Sequence, residues 1–254
     1  MIVVIILLCV QQCEPEPVEI FVSPIMQRVS FLPVLFNAYD FQHWRADFGN
    51  PNELNAFGYE LGNVRNNEPQ VYTSTMVSIE SGYLVITGND YTSGSVFTNR
   101  TFTGGTFTIR AQFPHYSTGG DYCWGAIWLL GDDSCCAQQQ CTCAWSQDST
   151  GGIWAETGEL DIAENWWGWH ANAAHWGAWP NNYVLQGGGQ WLSGWHTYTL
   201  EWLPSSVTFY VDGVQTLTVA RAYDDPMRLI VNLAMTGDCN GQMLIDWIEW
   251  NGSL

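Results

Sequence analysis

The chain has 254 residues, 7 of them basic and 25 acidic, giving a formal charge of −18 and a sequence pI near 4.2. Every basic residue is an arginine, so Schiff-base catalysis, pyridoxal-phosphate anchoring and a Walker-type phosphate lysine are excluded. A polybasic grip on nucleic acid or anionic lipid is excluded as well, because their phosphates would be repelled by this surface.

Residues 2–10, IVVIILLCV, are too few to span a bilayer as a helix and suit the hydrophobic region of a signal peptide. The basic residue usually found before such a run is missing, which leaves a short uncleaved anchor, or a fragment of a longer chain, as alternatives. Residues 1–13 are therefore expected to be a leader, and residues 14–30, opening on the acidic, proline-containing EPEPVE, a linker. One domain is expected over 31–254, since hydrophobic content of 46% is ample for a core and all-β domains reach this length without splitting.

Strand-like runs then recur: VYTSTMVSI from Val71, YLVIT from Tyr83, SVFTN from Ser95, TFTIRAQF from Thr106 and WGAIWLL from Trp124. They continue with ELDIAE from Glu159, HTYTLEWL from His196, SVTFYV from Ser206, QTLTVA from Gln215, RLIVNLAM from Arg228 and MLIDWIEW from Met243. Most alternate apolar with polar or β-branched residues, the pattern of a strand with one buried face. Asp212-Gly213 marks a hairpin of the primed type. Short, regularly spaced strands with no sustained helical period predict an all-β fold, a β-sandwich of jelly-roll form.

The chain holds 8 cysteines, which points to an oxidising, extracellular setting. Cys135, Cys136, Cys141 and Cys143 crowd into the stretch after the Trp124 run, with Cys123 upstream and Cys239 far downstream. The cluster lacks the paired CxxC knuckles of a zinc site, so disulfides are favoured, with connectivity left open. Asn99 and Asn251 begin N-x-S/T sequons and are glycan acceptors in a host that glycosylates.

The most informative segment is Glu159-Leu160-Asp161-Ile162-Ala163-Glu164. Alternate strand residues share a face, so Glu159 and Asp161 point away from the core that takes Leu160 and Ile162. Glu164 has the wrong parity. A β-bulge at Ile162 or Ala163 would supply the extra residue that returns it to the face of the other two acids. A pair of carboxyls roughly 5 to 5.5 Å apart is what retaining glycoside cleavage uses, and mutual repulsion should raise the pKa of at least one of the three. The alternatives are a solvent-facing acidic strand or a calcium site. The chain has 15 tryptophans, and Trp154, Trp166, Trp167, Trp169, Trp176 and Trp179 surround the segment, which favours a sugar cleft over a hard-cation cage.

Here the chain resembles glycoside hydrolase family 16, in its laminarinase-like, endo-β-1,3-glucanase branch. Glu159 to Glu164 is similar to the bulged E-x-D-x-x-E signature, as distinct from the E-x-D-x-E form of lichenases. NEPQVYT from Asn67, SGYLVIT from Ser81, GGTFTIRAQFP from Gly104, GAIWLL from Gly125, WAETGE from Trp154 and the closing strands follow the family's order. The resemblance implies a concanavalin-like jelly roll with a concave substrate cleft, Glu159 as nucleophile, Glu164 as acid/base and Asp161 as the partner tuning the nucleophile. It places Trp128, Trp154, Trp166, Arg110, His175 and Asn67 along the sugar subsites. On the residues alone, Trp128 is equally a core side chain, His175 a structural imidazole and Arg110 a surface ion pair. Asp246 and the Gly82 carbonyl match a structural calcium position, and no other cofactor is required. Thr108, Ala155 and the cysteine-rich stretch depart from the family pattern. The expected activity is that of a secreted, monomeric endo-hydrolase of β-glucan, with no nucleic-acid partner and no membrane contact beyond the leader. A non-catalytic glucan-binding module and a transglycosylase are the rival readings.

Overall fold

A computed structural model describes residues 43–64, 67–114, 123–131, 158–166, 169–176, 183–190 and 193–252. The expected leader, linker and domain start at Phe31 lie outside these residues, as do Trp154, Trp167, Trp179 and the four clustered cysteines. Among the described residues no helix is long and apolar enough to cross a membrane.

In chain order the strands are β1 (His43–Asp47), β2 (Phe57–Tyr59), β3 (Val71–Tyr72), β4 (Val77–Glu80), β5 (Tyr83–Gly88) and β6 (Thr92–Ser93). There follow β7 (Ser95–Thr98), β8 (Gly105–Gln112), β9 (Cys123–Gly131), β10 (Glu159–Trp166), β11 (Trp169–Trp176) and β12 (Tyr183–Gln190). The last are β13 (Trp195–Leu203), β14 (Ser206–Val211), β15 (Val214–Val219), β16 (Met227–Met235) and β17 (Gly241–Asn251). Among the described residues the helical turns are of the 3-10 kind, at Pro51–Ala56 and Ser74–Met76. The second of these breaks the Val71 run, expected as one strand, into β3 and β4.

Two sheets form the sandwich. One runs β15-β14-β13-β8-β17-β5-β4, with β1 also paired to β17, and the other runs β12-β11-β10-β9-β16-β7-β2. The short β3 and β6 pair in parallel beside them. Alternation decides which side chains meet between the sheets. From the first come Phe107, Ile109 and Ala111 of β8 and Leu200 and Trp202 of β13. From the second come Ile127 and Leu129 of β9, Leu160 and Ile162 of β10, and Leu229, Val231 and Leu233 of β16, all within one buried cluster. Each Val, Leu, Ile or Phe among them contributes about 1.5–3 kcal/mol by leaving water. Asp212 and Gly213 adopt φ of 50° and 77° at the β14–β15 hairpin, as a primed turn requires.

The second sheet also carries a small apolar cluster on its other face: Ala126, Trp128, Leu130 and Ile230, with Phe97 packed against them. Sequence parity assigns these residues to the side opposite the core. This is the face on which the acids of β10 stand.

Candidate active site

The register of β10 is interrupted on both sides. Against β9 the pairing passes from Asp161↔Trp128 to Ala163↔Ile127, and against β11 from Asp161↔Ala173 to Glu164↔Ala171. Ile162 is the residue left over, and both Ile162 and Ala163 are fully buried in the core. Beyond the bulge Glu164 lies opposite Ala126, while Glu159 lies opposite Leu130 and Asp161 opposite Trp128. Cross-strand partners share a face. Glu159, Asp161 and Glu164 therefore all stand with Ala126, Trp128 and Leu130, as the expected bulge requires.

Around the three acids the hydrogen bonds are specific. Glu159 pairs across the ladder with His175, whose Nε2 lies 3.0 Å from Asp161 Oδ2 and 3.8 Å from Glu159 Oε1. Glu159 and Asp161 also share a side-chain hydrogen bond. The indole N–H of Trp124 donates to Glu164 Oε1 at 2.8 Å. Burial is the largest influence raising the pKa of Asp161, with the charge of Glu164 adding to it and the Glu159 hydrogen bond opposing it. Glu164 is raised too, first by burial and further by the field of Glu68, while the Trp124 N–H and His175 pull it down. The expected elevation is present, but desolvation contributes more to it than repulsion does. A carboxyl held up in this way retains its proton further toward neutrality, which is what a general acid needs.

The other expected site residues divide. Trp128 lies on the acid-bearing face with 6% of its surface exposed, and its indole N–H is spent on Asn232 Oδ1 at 2.8 Å. Asn232 in turn donates to the Tyr72 hydroxyl, so Trp128 forms a fixed floor. His175 joins the acids as described. Asn67 has φ of 51° in a loop anchored to β16 by the Met235 N–H, which donates to Gln70 Oε1 at 3.0 Å. Trp166 ends β10. Trp169 is on the face of Glu164 by parity and is 62% exposed.

Three expectations need correction. Arg110 lies on the outward face of β8, in the opposite sheet, where it donates to Asp246 Oδ2 at 2.6 Å and sits over the Trp195 ring. It is not among the residues brought to the acids, because β8 turns Phe107, Ile109 and Ala111 inward and leaves the alternate positions facing away from the core. That pairing also bears on calcium at Asp246 and Gly82. A guanidinium already compensates the carboxylate, so the residues present do not fit a calcium ion, and no step is assigned to one. The acid-rich group able to gather around a cation among the described residues is Glu159, Asp161 and His175, and these belong to the site itself. Trp176 packs against the core, with Arg221 over its ring, and does not face the acids.

Two contributors escaped the sequence reading. Trp124 shares parity with Ala126 and Trp128, so strand alternation alone contained the signal. Glu68, adjacent to Asn67, had no local pattern to mark it. Its carboxylate accepts from Gln70 Nε2 at 2.6 Å and acts on Glu164 through space.

Residues 65–252 match Glycosyl hydrolases family 16. The chain belongs to this family. Among its relatives, a glucan endo-1,3-beta-glucosidase of Cryptopygus antarcticus is 26% identical over 250 residues, taking in 82% of this family 16 chain and 85% of that protein. A beta-1,3-glucan-binding protein of Penaeus monodon is 30% identical over 140 residues, 48% of this chain and 32% of that protein. In structure, a variant of LamA from Z. galactanivorans, in complex with laminaritriose and laminaritetraose, superposes with a TM-score of 0.67 at 24% identity, covering 82% of this chain and 97% of that one. The family 16 sandwich is thus shared at the level of the fold, jelly-roll topology included.

Proposed function

We propose that this family 16 domain is a retaining endo-hydrolase of β-glucan, acting on β-1,3 linkages by double displacement. Glu159 attacks the anomeric carbon as Glu164 delivers its proton to the departing glycosidic oxygen, leaving a glycosyl ester on Glu159. Water, deprotonated by Glu164, then attacks the same carbon and frees Glu159. Asp161 holds the nucleophile's carboxyl by a hydrogen bond and is itself held by His175, and Trp124 orients the acid. The observation carrying this reading is the bulge at Ile162, which brings an acid of raised pKa to the face of two other carboxyls. The β-1,3 preference is supported by the C. antarcticus relative. Two carboxyls and water complete the cycle, so no cofactor is required. Export agrees with the apolar run at residues 2–10 and with a disulfide between Cys123 and Cys239.

Recognition without cleavage is the competing reading with an observation behind it, since the P. monodon relative is described as a binder. One experiment separates the two. Glu159→Gln should lower laminarin hydrolysis at least about a thousandfold while still binding laminari-oligosaccharides. Mass spectrometry of products from laminarin, lichenan, agarose and xyloglucan assigns the linkage and detects transfer to sugar acceptors. Undiminished turnover in the variant, or no cleavage of laminarin or lichenan by the unaltered protein, overturns the proposal.

A further inference from the structure

A bulge leaves backbone groups of its strand without ladder partners, and buried ones must find a substitute. Ile162 has no partner residue in the register of either β9 or β11. On β11 the residue skipped at the same level is Asn172, which is paired on its far side with Gly187 of β12. Asn172 is fully buried, and its Nδ2 donates to the carbonyl oxygen of Ile162. Its Oδ1 accepts from the hydroxyl of Thr216 at 2.6 Å. Thr216 is itself skipped in its own ladder, where the β14–β15 register passes from Phe209↔Leu217 to Tyr210↔Gln215. The approach of the two sheets here depends on Gly187. A Cβ at that position would lie 2.6 Å from the Thr216 carbonyl oxygen and 2.8 Å from Leu217 Cβ.

We propose that Asn172 is a positioning residue for Glu164, tying off the carbonyl stranded by the β10 bulge and locked in turn by Thr216 from the opposite sheet. This rests on the double-displacement reading and assigns a role to residues that do not touch the sugar. The direction of the effect follows from the order along β10. Glu159 and Asp161 precede the bulge in unbroken register with β9 and β11, whereas Glu164, although paired to both strands, takes its register from the bulge itself. Loosening the brace displaces the acid and leaves the nucleophile in its ladder. A sugar alkoxide needs the proton of Glu164 in order to depart, whereas a dinitrophenolate departs without it.

The test compares kcat/KM, which reports the glycosylation step, for laminarin and for 2,4-dinitrophenyl β-laminaribioside. Glu164→Ala is the reference and should fall steeply on laminarin while largely retaining the aryl glycoside. Asn172→Ala should show the same asymmetry in milder form, down about 30- to 100-fold on laminarin and within about threefold on the aryl glycoside. Thr216→Val, which keeps its shape if Asn172→Ala does not fold, should fall about 3- to 10-fold on laminarin only. The double variant should match Asn172→Ala within about twofold, because two links of one chain are not additive. Equal losses on both substrates, unaltered laminarin hydrolysis in folded protein, or multiplicative losses in the double variant overturn the brace. Failure of Glu164→Ala to separate the substrates overturns the acid assignment beneath it, whatever the brace variants do.

Discussion

At Asp161 a single residue sets the chain's stability against its chemistry. It is 3% exposed, and its raised pKa comes first from burial. A carboxyl whose folded pKa exceeds its unfolded value costs nothing while protonated in both states. Stability is therefore fullest below the ordinary carboxylate range near 4 and is lost as pH rises through the elevated folded value. Asp161→Asn keeps the shape and removes the charge. It should raise the melting temperature at pH 7 by about 3–6 °C, give no gain near pH 4, and slow laminarin hydrolysis by about tenfold or more. Melting curves at the two pH values check the sign, and a gain independent of pH would mean that the buried charge is not the cause. Glu164 bears the same kind of cost, moderated by the Trp124 N–H.

Strand β10 turns one unpaired residue into a usable site, and its parity can be tested from both directions. Deleting Ala163 makes the spacing of the acids even, so a regular pleat keeps all three on one face while the last moves about 3.3 Å along the strand. The domain should fold, with turnover reduced about 10- to 100-fold. Inserting one alanine after Ala163, with the bulge at Ile162 kept, instead drives the last glutamate toward the core. Activity should vanish, and urea unfolding should show a loss of about 3 kcal/mol or more for the buried carboxyl. Retained activity in the insertion variant would contradict the parity argument.

The same parity explains what could be read beforehand. Strands β8, β13 and β14 alternate plainly, and the misfit of Glu164 announced its bulge. Strands β11 and β12 were missed. Their HANAAH and VLQGGGQ stretches are built from residues poor in β propensity and are held as strands by pairing with their neighbours. Arg110 was placed at the subsites by the family resemblance, whereas the residues alone allowed the surface ion pair that it makes with Asp246. The brace at Asn172 was invisible because it joins strands far apart in the chain.

Across the whole molecule, the Cys123–Cys239 disulfide spans 116 positions of sequence and ties the first residue of β9 to the turn before β17. A loop of that length restricts the unfolded chain by about 4–5 kcal/mol in the chain-entropy account. Replacing both cysteines by alanine should lower the melting temperature by about 10 °C or more. Turnover measured well below the transition should stay within about twofold of the unaltered protein, because the ladders around β10 do not pass through the bridge. An unchanged melting temperature would show that the bridge contributes nothing to stability. The surface suits a neutral polysaccharide partner, since a chain carrying −18 would be repelled by polyanions.

The bridge has a consequence for a protein exposed to peptidases. Trp124 stands one residue past its first cysteine, and Glu164 lies between the two. A single cut between Glu164 and Cys239 would leave two fragments that still migrate as one covalent body until a reductant is added. The indole and the acid it serves would then lie on the same fragment, with the far strands still leashed to them.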